Sequence, residues 1–348
     1  MAACPRHIAA FAACFAVSIL AGCSHSHDDS SGKLRIVTQN VYQGTSFQEI
    51  EAAKSPAAFV QAVSVTYGNI KATNPAERAA AIAKEIASAS PHLVALQEAS
   101  MVRTGAPPAS TVQWDLVELV MAELDRLGLH YTLVSKLQTL DAEAPSTLGF
   151  DVRVTMQDAV LARSDLDGFS WSNVQAQRYQ AVLQFPSPVG NIPFPRGYIS
   201  LDVSLNGHAF RFVTTHLEVE PHFEAAQASE LAAIEAASPL PVLIAGDFNS
   251  AANDPNDPSY AGYKAMTTAG FADAWAAAHP QDAGFTCCEP ANVANATPTL
   301  TQRIDLVLTK GDWKVDGIEL IGVNAADRTP SGLWPSDHAG IAAELAMP

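Results

Sequence analysis

The sequence predicts an α+β fold in which mixed β-sheets are covered on the outside by helices, and three observations lead there. Strand-like and helix-like segments alternate from residue 33 to residue 345. Both hairpins and longer crossovers join them, which a purely parallel or purely helical architecture would not show. The chain is also 48% hydrophobic and only 16% charged, so it has the apolar material for a core and lacks the composition of a disordered polymer.

Each element follows from its local pattern. Residues 33–41 (KLRIVTQNV) read as a strand ending in polar side chains. Residues 75–89 read as a helix, with Ala79, Ile82 and Ile86 at helical spacing, and lead into a short apolar strand at 92–98 that ends in Glu98. A second helix is expected over 112–127, and strands near 130–134 and 159–162. Residues 198–205 and 208–216 flank Asn206-Gly207, the pair suited to the positive φ angles of a type I′ turn, and so predict a hairpin. An Ala-rich helix at 223–237 precedes a strand at 241–245 that delivers Gly246-Asp247-Phe248-Asn249. A helix at 260–269, strands at 303–309 and 313–321, and a closing strand at 339–345 complete the order. Residues 43–74, and 186–196 with prolines at 186, 188, 193 and 195, fit neither period and are expected as loops over one end of the scaffold.

The N-terminus predicts export. Arg6 and His7 precede thirteen residues (8–20) broken only by Ser18, too few for the roughly 18–20 that span a bilayer but suited to a secretory signal. Leu20-Ala21-Gly22-Cys23 resembles a bacterial lipobox, which implies a signal peptide over 1–22 and a lipid on Cys23. Residues 24–32 form a polar tether and residues 33–348 the folded domain, so the chain is expected at a membrane, facing periplasm or exterior. Within 1–22 only Arg6 carries a formal charge, so its removal takes the net charge from −16 to −17 and the acidity belongs to the exported part. A broadly cationic nucleic-acid binder is excluded. Of five cysteines only the adjacent pair Cys287-Cys288 lies in the domain, either as a vicinal disulfide or as two thiols.

Chemistry concentrates where apolar strands end. Asn40 follows LRIVTQ, Glu98 follows LVALQ, His216 follows FRFVTT, Asp247 and Asn249 follow VLIAG, Asp305 lies within RIDLVL, and Asp337-His338 precede AGIAAEL. Taken singly, each residue also fits a structural role, such as a cap, a turn or a strand-end histidine. Six such blocks together point to a site. The chain has no Gly-x-Ser-x-Gly elbow, Walker-type loop, Gly-x-Gly-x-x-Gly turn or His-Glu-x-x-His helix.

The ordered blocks TQN, LQE, TTH, GDFN, RIDLVL and SDH resemble the endonuclease/exonuclease/phosphatase superfamily, over about residues 33–346. The resemblance implies a four-layer α/β/β/α sandwich, two packed mixed sheets flanked by helices, with a divalent cation beside a phosphate ester at one end. Carried onto this sequence, it assigns metal binding to Asn40, Glu98 and Asp337, and catalysis to His216, Asp247, Asn249, Asp305 and His338. Mg²⁺, or Mn²⁺ in its place, suits such oxygen donors. Asp247 would orient and deprotonate water, Asn249 would hold water or a phosphate oxygen, and Asp305 would orient His338. Asp151 and Asp158 are both open as partners of His216.

The expected function is metal-dependent hydrolysis of a phosphodiester by a nuclease-like or sphingomyelinase-like enzyme. The alternative is a noncatalytic surface lipoprotein that uses the same sandwich for binding. The acidic balance favours a small or lipid-derived ester over duplex DNA, with Arg153, Arg178, Arg196 and Arg303 as candidate phosphate contacts. No obligate protein partner is implied.

Overall fold

The computed structural model describes residues 32–348, so the predicted signal segment, Cys23 and the tether to residue 31 lie outside the described residues. Strand β1 (Lys33–Asn40) is followed by α1 (Gln48–Ala52) and α2 (Pro56–Ala72), where the sequence predicted a loop. The start signal of α2 was present: Ser55 accepts a hydrogen bond from the Ala58 amide and Pro56 occupies the first turn, but the apolar stripe behind them is weak. Helix α3 (Pro75–Ala89) has the predicted bounds, capped by Asn74, and leads to β2 (Leu93–Gln97). A hairpin of β3 (Met101–Gly105) and β4 (Thr111–Asp115) then takes the first residues expected of the next helix. That helix, α4 (Leu116–Arg126), starts later because the Asp115 side chain caps the amides of Val117 and Glu118.

Next comes a long antiparallel pair, β5 (Tyr131–Pro145) and β6 (Asp151–Arg163), both longer than predicted, and then β7 (Phe169–Arg178). The proline-rich segment is a two-stranded ribbon, β8 (Leu183–Ser187) and β9 (Gly190–Phe194), not a loop. Two strands have only edges, and an edge tolerates residues without an N–H. The predicted hairpin forms from β10 (Gly197–Leu205) and β11 (His208–His216), with φ of 51° at Asn206 and 88° at Gly207. Helix α5 (Pro221–Ala236), β12 (Val242–Asp247), α6 (Tyr260–Thr268), β13 (Ala272–Asp273), α7 (Ala274–Ala278), β14 (Asp305–Lys310), β15 (Lys314–Ile321) and β16 (Gly340–Ala346) complete the domain.

One sheet has the order β15-β16-β1-β2-β6-β3-β4, with β5 also paired to β6; the other runs β13-β14-β12-β11-β10-β7. Each mixes parallel and antiparallel neighbours. The central strands are apolar on both faces, and their alternation builds the layers. In β2, Leu93 and Ala95 face the core between the sheets, whereas Val94 and Leu96 pack with Ile82, Ile86 and Val120 of α3 and α4. In β12, Leu243 and Ala245 face that same central core, and Val242 and Ile244 pack with Leu231 of α5 and Met266 of α6. The result is the expected four-layer α/β/β/α sandwich. Truncating a central-core side chain such as Phe212 to Ala would cost about 3–5 kcal/mol.

Candidate active site

Register places the reactive side chains. His216 ends β11 directly opposite Asp247 in parallel β12, and Asp247 is in turn opposite Asp305 in antiparallel β14. Three adjacent strands thus end in one row of His, Asp and Asp. Gly246 permits the spacing, because a Cβ there would lie 2.2 Å from the Thr215 carbonyl oxygen. In the other sheet Asn40 of β1 is opposite Gln97 of β2. The two sheets meet at this end through Asn40 Nδ2, which donates to Asp247 Oδ2 at 3.0 Å, and Gln97 Nε2, which donates to Thr214 Oγ1 at 3.0 Å.

Just past the strands the backbone turns sharply. Tyr42, Glu98 and Asn249 take left-handed φ angles of 54°, 55° and 48°. Asn adopts these readily, but for Tyr and Glu the conformation costs on the order of 1 kcal/mol, a strain typical of functional loops. The Glu98 turn is held on both sides: its amide donates to Asp158 Oδ1 at 3.3 Å, and its Oε2 accepts from the Gln43 amide at 3.1 Å.

Each ionisable group has identifiable neighbours. Burial opposes charge on Asp247, but His216, His338 and hydrogen bonds from the Asn249 amide and Asn40 overcome it and hold the carboxyl below its usual value. His338 Nδ1 lies 2.8 Å from Asp305 Oδ2. Burial pushes this imidazole down, yet Asp305, Asp247 and Asp337 raise it well above the ordinary histidine value. Asp305 itself is raised, by burial first and by Asp247. At His216, burial and Arg196 disfavour the imidazolium while Asp247 and Asp158 favour it, and the balance is upward. Asp158 Oδ1 stands 3.6 Å from His216 Nδ1 and so is the neighbouring acid that sequence left open, whereas Asp151 pairs with Gly105 at the far end of β6.

Six of the eight predicted residues line one cavity of about 670 Å³: Glu98, His216, Asp247, Asn249, Asp337 and His338. Asn40 and Asp305 stand behind them, against Asp247 and His338. Asn40 Oδ1 accepts from the Tyr42 amide at 2.9 Å and keeps a second lone pair. Asn249 Nδ2 donates to the Leu217 carbonyl at 2.9 Å, which leaves its other amide hydrogen.

Glu98 and Asp337 fit a hard cation. Burial, and then the neighbouring Glu98, push the Asp337 carboxyl up to about 7, although His338 and Arg78 pull it down. A dication between two such carboxylates would relieve their repulsion, and an all-oxygen set of Glu, Asp and Asn carbonyl is the set Mg²⁺ or Mn²⁺ accepts. Asp247, Asp305 and His338 also offer ligand atoms within 4.8 Å of one another.

The sequence reading missed Arg78. Its guanidinium is fully buried beneath the site and donates to the carbonyls of Val41 at 2.7 Å, Tyr42 at 2.9 Å, Thr73 at 2.9 Å and Pro335 at 3.1 Å. Burial lowers its pKa to about 10, which leaves it charged at neutral pH behind Asp337 and Glu98. Its only sequence signal was a basic residue on the apolar side of α3.

Of the four arginines expected at phosphate, only Arg196 reaches the cavity, with Nη1 3.0 and 3.2 Å from the two ring nitrogens of His216. Arg153 is tied to Asp141, Arg178 to the Gln138 carbonyl and Arg303 to Asp273 and the Ala283 carbonyl, so all three serve the scaffold. Trp334 packs with Tyr42 and Val293 and donates to the Asn295 carbonyl. Cys287 and Cys288 form a vicinal disulfide at the cavity wall, beside His338.

A sequence model of the Endonuclease/Exonuclease/phosphatase family matches residues 37–338, a span that includes every one of these site residues. The chain belongs to the Endonuclease/Exonuclease/phosphatase family. Members of this family are phosphoester hydrolases that typically use a divalent metal, and the chain is accordingly a hydrolase of that broad kind. No curated protein matches the sequence.

Solved structures agree on the fold. A family member from Bacteroides thetaiotaomicron superposes with a TM-score of 0.56 at 13% identity, covering 90% of this chain and 97% of that one. D. rerio TDP2 in complex with a single-strand DNA product gives 0.54 at 17% identity, over 90% and 98%. A mannosyl-6-phosphatase from Bacteroides thetaiotaomicron VPI-5482 gives 0.55 at 14%, over 90% and 99%. At these identities the likeness is one of fold.

Proposed function

We propose that the protein is a divalent-cation-dependent phosphodiesterase that cleaves its substrate by direct attack of water. The observation that carries this reading is the convergence of Glu98, Asp337, Asp247, His216 and His338 on one cavity from strand ends of both sheets. Glu98, Asp337 and the free lone pair of Asn40 Oδ1 would hold Mg²⁺ or Mn²⁺, which when bound neutralises charge on the phosphoryl oxygens.

The chain's own residues supply the rest. Asp247, kept ionised by its two imidazoles and two N–H donors, takes the proton of the attacking water. The Asn40 and Asn249 contacts fix where its oxygens point. Asn249 donates its remaining amide hydrogen to a phosphate oxygen. Facing the same oxygens, His216 and His338 provide N–H donors for charge that grows in the transition state. Asp305 accepts from His338 Nδ1, so the other nitrogen, Nε2, is the one available to the ester.

The test is hydrolysis of bis-p-nitrophenyl phosphate by the full chain in detergent, with Mg²⁺, with Mn²⁺ and with EDTA. Turnover that EDTA abolishes and either cation restores is the expected result. No metal-dependent turnover on this ester, a nucleic acid, sphingomyelin or an inositol phosphate would instead favour a binding lipoprotein.

We infer as well that the chain is exported and held at a membrane through lipid on Cys23, on the strength of residues 6–23. Cys23→Ser should leave hydrolysis intact and move the protein to the soluble fraction. Unchanged membrane association would remove the lipobox reading.

A further inference from the structure

The cavity has two chemically different ends. Beyond the polar cluster it continues as an apolar trench between Phe47, Phe59 and Val63 of the α1–α2 segment, Val154 and Met156 of β6, and Phe185 of β8. One of these walls, with Phe47, Phe59 and Val63, lies in a segment that the sequence left as a loop, and Phe185 directly precedes the other such segment. They are folded, and they are aimed at the site. The volume of about 670 Å³ lies within the ~300–1,000 Å³ range of small-molecule pockets.

Charge around the trench narrows what can enter. Glu51, Glu98, Glu218, Glu220, Asp247 and Asp337 line the cavity, but among the described residues its lining has no lysine and a single arginine. That arginine, Arg196, is engaged with His216 and lies 3.5 Å from Glu218 Oε2. A nucleic acid or polyphosphate brings several phosphates, and each needs a cation to offset it. Here the cation site, two imidazoles and one amide hydrogen of Asn249 face anionic oxygen, enough for one phosphoryl group. The apolar part of the cavity wall otherwise leaves hydrocarbon against water.

From the trench, its continuity with the phosphoryl end and the scarcity of cations, we propose that the substrate is an ester with one phosphoryl group and one apolar limb. The phosphoryl group sits between Asp337 and Asp247, and the limb lies along Val154, Val63 and Phe185. This specificity rests on the phosphoesterase reading above but is measured separately from it.

The experiment uses two matched series with methyl, butyl, hexyl and octyl limbs. Alkyl phosphates are titrated calorimetrically into the full chain with Mg²⁺, and alkyl p-nitrophenyl phosphates are assayed for kcat/KM. Affinity and kcat/KM should both rise, by about three- to fourfold per buried methylene until the trench is filled. Phe185→Asp, on a half-buried ribbon residue, should flatten both series relative to wild type. Val63→Ser should flatten them partly, as a milder change in the opposite wall.

Flat series with normal turnover of the methyl ester would overturn the apolar-limb inference, leave the phosphodiesterase reading intact, and give the trench to another occupant such as residues 8–20 of this chain. Oligonucleotides cleaved with higher kcat/KM than the octyl ester would also overturn it. Chain-length-dependent binding without turnover of any ester would sink the hydrolytic reading and retain the trench.

Discussion

Asn40 Nδ2 donates to Asp247 Oδ2 across 3.0 Å, and this bond ties the end of one sheet to the end of the other inside the active-site wall. The two residues are 207 positions apart, so the site exists only in the folded sandwich. The bond also helps to keep Asp247 ionised.

Replacing that donor with an acceptor should therefore impair chemistry more than stability. Asn40→Asp sets a second carboxylate against Asp247, raises both acids and misdirects the base. Turnover should fall by about 10²-fold or more with an unchanged far-UV circular dichroism spectrum. Wild-type kcat in this variant would detach Asp247 from the reaction.

Asp305 acts through His338. Asp305→Asn should lower kcat by about 10²-fold, His338→Ala should lower it at least as far, and the double variant should be no worse than His338→Ala alone, because the pair works as one unit. Multiplicative losses in the steady-state kinetics would show that the two residues contribute separately.

Glu224, away from the site, gives the pH dependence of stability a readable handle. Burial pushes its carboxyl up from 4.5 to about 8, against smaller opposing effects of Ser250 and Gly262. Below pH 4.5 both native and unfolded chains hold the proton and Glu224 costs nothing. Between 4.5 and about 8 the unfolded chain releases it while the native chain retains it, so stability falls as pH rises through that window. Glu224→Gln, neutral throughout, should match wild type near pH 4 and exceed it by about 2–4 kcal/mol at pH 8 in urea unfolding. An advantage independent of pH would contradict the assignment.

The legible part of this protein was its strand ends. Apolar runs that stop at Asn40, Glu98, His216 and Asp247 are visible in one dimension because a strand buried on both faces is nearly all hydrophobic, and the polar residue marks where it emerges. Helix α3 was equally readable, since cap, proline and apolar spacing agreed. What failed was long-range or marginal. The β8–β9 ribbon contains prolines that argue against a strand, and α1–α2 carries little amphipathic contrast. Arg78 and Asp158 could not be placed because their roles depend on carbonyls and imidazoles brought from elsewhere in the chain. Free-looking arginines such as Arg153 and Arg303 turned out to have acidic partners 12 and 30 residues away.

The central claim is that Glu98 and Asp337 share one hard dication, and Mn²⁺ binding to the full chain, followed by electron paramagnetic resonance, tests it most directly. The account predicts saturable binding in wild type that competes with Mg²⁺, is weakened at least about tenfold in Glu98→Gln and in Asp337→Asn, and persists in Phe185→Asp. Mn²⁺ affinity unchanged in both carboxylate variants would contradict it.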